Sequence, residues 1–417
     1  MCTQFLSVLP ENWPFSLEWL PQPAYLVGGA VRDALLERCS EYLDLDFVLP
    51  TGAVKIARAI AAHYKAGFVL LDAERQIARV VFEQATADFA QQEGSTLETD
   101  LRRRDFTVNA IAYNPHTGEF IDPLQGCADL QQGVLRMVSP ANLQSDPLRL
   151  LRAYRQAAQL GFIIDPDTQS VIRNLAPQLS QVAAERVRVE LGYLLSSSEG
   201  TLWLRAAWED GLLANWFKST KRSQLAQVAA VDSAAVALAE TWPRLGMELY
   251  QLVRPVKTSR LMIAKLSCLV APEPELAETE LLLLTYSRAE IRVVTTAIKL
   301  LPQLQPGKFI SAQTSLTKQY FFFRAAGTVF PVLAVLAVAI GTPVEAITPL
   351  INRYLTLDDP VAHPIPLVNG KDLMQALQLP SGPQVGKLLI EIAIAQVEGK
   401  ISTPAEALQL ASQLLDV

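Results

Sequence analysis

The 417 residues are enough for roughly two to four domains, and a hydrophobic fraction of 50% excludes a disordered chain. A net charge of −6 argues against a surface coated evenly in nucleic acid and leaves any such contact to local patches. Cys2, Cys39, Cys127 and Cys268 show no paired spacing, and His63, His116 and His363 stand apart, which argues against a structural zinc or a disulfide framework. The N-terminal run MCTQFLSVLPENWPF has no basic region followed by an apolar one, so no secretory signal is expected and the cytoplasm is the expected compartment.

In chain order, short β-rich runs alternate with helical ones: YLVGG from Tyr25, AVRDALLE, LDLDFVL from Leu43, KIARAIAAHY, FVLLD, IARVVF and ATADFA. This predicts a mixed α and β domain that is not doubly wound. The strands around the tight turn Asp72–Arg75 are expected to be antiparallel neighbours. In LVGGAVRD, Gly28 and Gly29 separate a strand from a helix and allow the backbone to approach a phosphate, with Arg32 adding a cation. Alone, such a pair is ordinary turn chemistry. The strand that follows changes its meaning, because alternation puts Asp44, Asp46 and Val48 on one face and Leu45 and Phe47 on the other. Two carboxylates then face one pocket. Hard oxygen ligands of that kind suit Mg²⁺, which can activate an attacking hydroxyl and steady a leaving oxygen. Solvent-facing aspartates on an edge strand are the bland alternative. Asp88, in ATADFA, either completes the metal site or ends its strand.

Three arginines open RRRDFTVNA, in which Arg104, Asp105 and Asn109 are interleaved with apolar Phe106, Val108 and Ile111, directing some polar groups inward. Beyond Ser145 the apolar residues fall at helical spacing, as in LLRAYRQAAQLGF and AERVRVELGYLL. Asp146, Arg149, Arg152 and Arg155 are three apart along one helical stripe. They are either the cap and wet side of a helix or an acceptor and donor set able to read a base edge. Arg254, Lys257, Arg260 and Lys265 fall in a stretch without an acid, either a solvated face or a contact for an RNA backbone. Ala325 to Val344 carries no charge, but its glycines and prolines and the missing second aromatic belt favour a buried helix over a membrane span. Proline and glycine clusters at Pro302–Gly307 and Pro360–Pro366 mark breaks between helical subdomains.

Together these runs resemble the class II tRNA nucleotidyltransferase and bacterial poly(A) polymerase family, of the polymerase-β-like superfamily. GGAVRD with DLDF is similar to its metal-binding motif, RRRDFTVNAIA to its ribose motif, DPLQGCADL to its hinge and SDPLRLLR to its nucleobase template. AAERVRVEL is similar to the motif that supports the template helix, and LVNGKDLMQALQLPSGPQVGKLL, less diagnostically, to the C-terminal region. The resemblance implies an α+β fold: a head domain with a small mixed sheet over 1–140, neck helices that read the nucleotide over 141–200, and a helical, tRNA-binding body and tail over 201–417. It implies that Gly28, Gly29, Arg32, Asp44 and Asp46 handle triphosphate and metal, that Arg104, Asp105 and Asn109 serve the incoming nucleotide, that Asp146 and Arg149 read its base, and that Arg152 and Arg155 hold phosphates. Two departures stand out: the family commonly has Glu where Ser145 stands and a second glycine where Gln125 stands.

Full CCA-adding members carry a flexible basic loop between metal strand and ribose motif. Here no Lys or Arg occurs from Val80 to Leu101, so the resemblance is closer to members that add only CC, with a partner enzyme supplying the terminal A. The expected activity is transfer of CMP from CTP to the tRNA 3′ end, with Mg²⁺ as cofactor and no membrane partner. AMP addition from ATP, a full CCA-adding or A-adding enzyme, a poly(A) polymerase, and a non-catalytic RNA-binding protein on a decayed scaffold are the alternatives.

Overall fold

The computed structural model describes residues 8–38, 42–253, 258–305 and 314–415. They form two compact units, Met1–Glu190 with Trp203–Asn215, and Leu191–Leu202 with Trp216–Val417.

The first unit is built on seven strands: β1 (Tyr25–Val27), β2 (Leu43–Leu49), β3 (Gly67–Asp72), β4 (Ile77–Val81), β5 (Ala85–Gln91), β6 (Ala112–Asn114) and β7 (Glu119–Ile121), in the order β3-β4-β5-β2-β1-β6-β7. The β2–β5 pair is parallel and the others are antiparallel, so the sheet is mixed and the hairpin at Asp72–Arg75 is as expected. Register matters most at the centre, where Asp44 lies beside Thr86 and Asp46 beside Asp88. Alternation sends Leu45 and Phe47 to the opposite face, where Phe47 stacks on Phe89 at 5.3 Å and meets the edge of Trp13 at 4.9 Å. Each such ring, fully buried, contributes roughly 1.5 to 3 kcal/mol, which fixes the register that presents the carboxylates.

Helices α1 (Gly29–Leu35), α2 (Ala53–Tyr64), α3 (Leu97–Leu101) and α4 (Gly126–Gln132) flank the strands. The two-residue strand β8 (Val134–Leu135) is followed by α5 (Pro140–Ser145) and α6 (Leu148–Leu160). Strand β9 (Ile163–Ile164) pairs with β8, ahead of α7 (Pro166–Leu175). Strands β6 to β9, of two or three residues each, carry too few residues for an alternation signal and were not among the predicted elements. Helix α6 is amphipathic, with Leu148, Leu150, Leu151, Tyr154 and Ala157 buried, and Gly161 in the left-handed region ends it.

Helices α8 (Ala184–Leu195) and α9 (Ser198–Glu209) each carry residues of both units. Most of the neck expected over 141–200 falls within the same unit as the head. The second unit continues with α10 (Arg222–Thr241), α11 (Pro243–Tyr250), α12 (Arg260–Leu269), α13 (Pro274–Leu283), α14 (Arg288–Leu300), α15 (Leu316–Ala326), α16 (Phe330–Ala339) and α17 (Val344–Leu355). Helix α16 is buried on every side from Phe330 to Ala337. The run α15–α16 is long and apolar enough to cross a bilayer, yet 67% of its most apolar window is buried, as a core helix requires. The chain ends in α18 (Gly370–Ala376), α19 (Pro383–Val397) and α20 (Pro404–Leu415), around a core of Val368, Leu373, Val385, Leu388, Ile392, Ala407 and Ala411.

Candidate active site

Gly28 opens the site. Its φ of 75° lies in the left-handed region, and a Cβ there would stand 3.1 Å from Asp46 Oδ2 and 3.5 Å from Arg104 Nη1, so strand β1 can turn into α1 against these two side chains only with glycine. Arg32, one turn into α1, donates to Asn109 Oδ1 at 2.9 Å and pairs with Asp33 at 2.8 Å. Asp44 is exposed and accepts a 2.6 Å hydrogen bond from Thr86 Oγ1. Burial, with Asp44 and Asp88 nearby, pushes the Asp46 carboxyl up to about 6 against the pull of Arg104. Two hard carboxylates on one strand fit a divalent metal.

Asp88 lies beside Asp46 in the β2–β5 register and is itself paired with a cation. Both of its oxygens accept from Arg79, at 2.7 and 2.8 Å. Among the described residues no group of three or more His, Cys, Asp or Glu side chains stands where it could hold a metal. A bidentate arginine across the β4–β5 pair thus holds Asp88, which the sequence offered either as a metal ligand or as a strand end and which stands in the middle of β5.

Behind the carboxylates lies a buried polar network. Asp105 accepts from the Phe106 amide at 2.8 Å and from Asn109 Nδ2 at 2.9 Å, and Asn109 Nδ2 also donates to Gln156 Oε1 at 2.9 Å. Burial alone would raise the Asp105 carboxyl, but Arg152 and these donors hold it below the usual carboxylate range. Arg152 Nη2 lies 3.1 Å from Asp105 Oδ2, off hydrogen-bonding geometry, and Asp105 Oδ2, Arg152 Nε and Arg104 Nε are buried without a hydrogen bond. Three such atoms in one cluster leave two donors and an acceptor open to a ligand or a water. They border a cleft of about 330 Å³ lined by Gly28, Gly29, Arg32, Asp44, Asp46, Arg104, Asp105, Asn109, Arg149, Arg152, Arg155 and Gln156.

Asp146 lies just ahead of α6, as the cap reading of the sequence has it, and not within the helical stripe. It sits between α5 and α6 with β-region dihedrals, its Oδ1 3.4 Å from the Leu148 amide and its Oδ2 3.0 Å from Arg186. Pro147 enforces the break, since the residue before a proline is steered away from the helical region. Arg149 Nη1 donates to Arg103 O at 2.9 Å and to Asn142 O at 3.1 Å. Both side chains line a second cleft of about 750 Å³, which shares Arg104 and Arg149 with the first. Arg155 is held by Glu190 at 2.5 Å and Gln159 at 2.8 Å. Arg186 and Glu190, one helical turn apart on α8, thus brace Asp146 and Arg155; the AAERVRVEL segment was singled out in the sequence, these two side chains were not. Thr86, Gln156 and Asn142 were missed as well. Same-face alternation with Asp88 could have flagged Thr86, and the turn beyond Arg152 could have flagged Gln156.

Gln125, where a glycine is common in the resembling family, adopts φ 59° and ψ 31° at the N-cap of α4. The left-handed region is one that glycine enters freely, which is the physical sense of that departure. The other departure, Ser145, donates to Asn142 O at 2.9 Å.

Of the proposed RNA patch, two residues can be placed, Arg260 and Lys265. Arg254 and Lys257 lie outside the described residues. Arg260 donates to Thr328 O, Glu248 O and Gln251 Oε1 at 2.8 to 3.2 Å. Lys265 is corrected outright: its side chain is 0% exposed, with Nζ at 2.6 Å from Asp232, 2.9 Å from Ser197 O and 3.0 Å from Thr201 Oγ1. An ammonium with three internal acceptors has nothing left for a phosphate.

The family model described as Poly A polymerase head domain matches residues 24–136, that for domain 2 of tRNA nucleotidyltransferases matches 254–411, and one for an RNA-binding segment of polymerase A matches 161–223. Over 411 residues the chain is 49% identical to a CC-adding tRNA nucleotidyltransferase of Synechocystis sp., covering 98% of each protein. It is 34% identical to a CC-adding enzyme of Geobacter sulfurreducens, covering 92% of this chain and 90% of that one, and 31% identical to an A-adding enzyme of Deinococcus radiodurans, covering 93% and 94%. Among solved structures, a CCA-adding enzyme with ATP superposes with a TM-score of 0.72 at 22% identity, covering 94% of this chain and 91% of that one. The Thermotoga maritima CCA-adding enzyme complexed with tRNA gives 0.69 at 22% identity with the same coverage. A head sheet that aims two carboxylates into an arginine-lined cleft, and matches of this extent, place the chain in the class II tRNA nucleotidyltransferase and poly(A) polymerase family, as a nucleotidyltransferase that acts on tRNA 3′ ends.

Proposed function

We propose that this enzyme adds two CMP residues from CTP to the tRNA 3′ end and stops, leaving the terminal A to a separate A-adding enzyme. The triphosphate lies over Gly28 and Gly29 among Arg32, Arg152 and Arg155, which line one cleft. Asp44 and Asp46 would hold Mg²⁺, which would supply Lewis acidity toward the reacting phosphate and lower the pKa of the attacking hydroxyl. Asp105, Asn109 and Arg104 position the ribose, and Asp146 and Arg149 offer an acceptor and donors to the base edge. The RNA 3′ oxygen attacks the α-phosphorus, the bond from that phosphorus to the bridging oxygen of the β-phosphate breaks, pyrophosphate leaves with the bonding pair, and the hydroxyl proton is released.

The observation that carries the CC-only reading is the short connector between β5 and the arginine loop. It closes on itself: the Glu93 amide donates to Asp100 Oδ1 at 3.0 Å, Glu93 pairs with Arg103, and Asp100 lies 3.5 Å from Arg104 Nη2. Gly94, at φ +87°, backs onto Thr99, whose Cγ2 would be 2.5 Å from an added Cβ. A segment tied at both ends has no slack to re-aim Asp146 and Arg149 from cytosine to the larger adenine. The CC-adding names of the 49% and 34% identical relatives support the same reading. Among the described residues the one long apolar helical run is mostly buried, which supports a core helix over a membrane span.

Transcripts lacking the whole CCA end, its last two nucleotides or only the terminal A, each given CTP, ATP or both, test this directly. The expected product ends in CC. Efficient addition of the terminal A by the purified protein alone would make it a CCA-adding enzyme instead, and addition of A only to CC-ended tRNA an A-adding one.

A further inference from the structure

We infer that Asn142, in the first turn of α5, is a positioning residue for base selection that pins the arginine loop to the base-reading Arg149. The inference rests on the proposed role of Arg149. The loop Arg102–Arg104 follows the end of α3, so its carbonyls have no helical partners. Asn142 Nδ2 donates to two of them, Arg102 O at 2.8 Å and Arg104 O at 2.7 Å. Two acceptors on one side fix which end of the carboxamide is the amine. The remaining carbonyl, Arg103 O, accepts from Arg149 Nη1 at 2.9 Å, and that nitrogen also donates to Asn142 O at 3.1 Å. Asn142 is held in its turn, since its amide donates to Ser139 Oγ at 3.3 Å and its carbonyl also accepts from Ser145 Oγ at 2.9 Å.

All three consecutive carbonyls of the loop therefore end on Asn142 or Arg149. The loop carries Arg104, which stands beside the Gly28–Asp46 edge of the site, while Arg149 lines both clefts. With Nη1 committed to the protein, Nη2 and Nε make up the edge of the guanidinium that faces a base. A rotation of Arg149 that would accept another base breaks its bond to the loop, so a wrong base is refused through the position of Arg104 as well as at the base edge.

The test compares Asn142→Asp, which keeps the shape and puts a carboxylate oxygen against two carbonyls, with Asn142→Ala, Arg149→Ala and the Asn142→Asp/Arg149→Ala double variant. Steady-state kcat and KM for CTP and UTP are measured on a transcript lacking CCA, with thermal unfolding alongside. Asn142→Asp and Arg149→Ala should each lower the CTP over UTP preference by about tenfold. The double variant should do no worse than Arg149→Ala, because coupled residues are not additive. If Arg149→Ala loses selectivity while both Asn142 variants keep it, Asn142 has no such role and base reading by Arg149 stands. If the losses multiply in the double variant, the two act separately and the coupling is wrong. Unchanged selectivity in Arg149→Ala defeats the base-reading assignment and this inference together. Should Asn142→Asp not fold, Asn142→Ala decides.

Discussion

Each unit sets a cation against a carboxylate, and the two pairs are finished in opposite ways. In the helical unit, Lys265 meets Asp232, Ser197 O and Thr201, so all three ammonium hydrogens are spent. In the head unit, Arg152 sits against Asp105, yet Arg152 Nε, Asp105 Oδ2 and the neighbouring Arg104 Nε are left without a hydrogen bond. A buried polar group left open costs stability, roughly 1 to 3 kcal/mol each. The closed pair holds a fold; the open one leaves the donors and acceptor that the proposed function assigns to a nucleotide. Charge in the sequence does not separate the two, and hydrogen-bond closure does.

The largest effect expected from breaking the comparison is on activity. Asp44→Ala or Asp46→Ala should reduce CMP incorporation by more than about 100-fold, since loss of a partner that only supports a metal ligand already costs 10- to 100-fold. Circular dichroism should show the parent's fold, and near-parent activity in either variant would remove the metal assignment. Next, Asp232→Ala should destabilise the protein by about 3 to 5 kcal/mol, because it strands a buried ammonium, and should leave the CTP over UTP preference unchanged. Chemical denaturation with the selectivity assay checks both halves; a changed preference would mean that the closed pair also serves the site.

A third experiment sharpens the contrast by pH. The Asp46 carboxyl is pushed up to about 6, so between the unfolded carboxylate range and that value the folded state holds more protons and stability falls as pH rises. At neutral pH without metal this costs up to about 3 kcal/mol, at 1.36 kcal/mol per unit. Asp46→Asn should therefore be more stable than the parent in chelator at pH 7, with the difference fading by about pH 4. Equal melting temperatures across that range would refute it. Added Mg²⁺ should raise the parent's melting temperature and not the variant's. The smallest effect concerns the base edge: Asp146→Ala or Arg149→Ala should remove about 1 to 3 kcal/mol of discrimination against UTP and GTP. Full rejection of both nucleotides by these variants would leave Asp146 as a helix cap.

Much of the head was legible because its signals are local. A glycine pair before a helix, an aspartate on alternate residues of an apolar strand and a tight turn between two strands each depend on neighbours within a few positions. The Lys265 expectation failed for the same reason. Spacing along α12 shows that cations are near one another, but not that Ala264, Leu266 and Lys265 are all buried. Asp146 has helical spacing to Arg149, but the proline between them turns the backbone out ahead of the helix.

By itself the sequence determined the fold class, the strand that bears the carboxylates, the buried character of the apolar run in the helical half and the family. Periodicity and motif order carry these, and neither needs a long-range contact. Only the tertiary structure decided that Asp88 belongs to Arg79, that Arg186 and Glu190 brace Asp146 and Arg155, that Asn142 gathers the arginine loop, and that Lys265 is spent inside the protein. Each of these is a choice of partner between side chains that several geometries could satisfy. Packing of distant segments makes that choice, by fixing which donor meets which acceptor and which is left for the substrate.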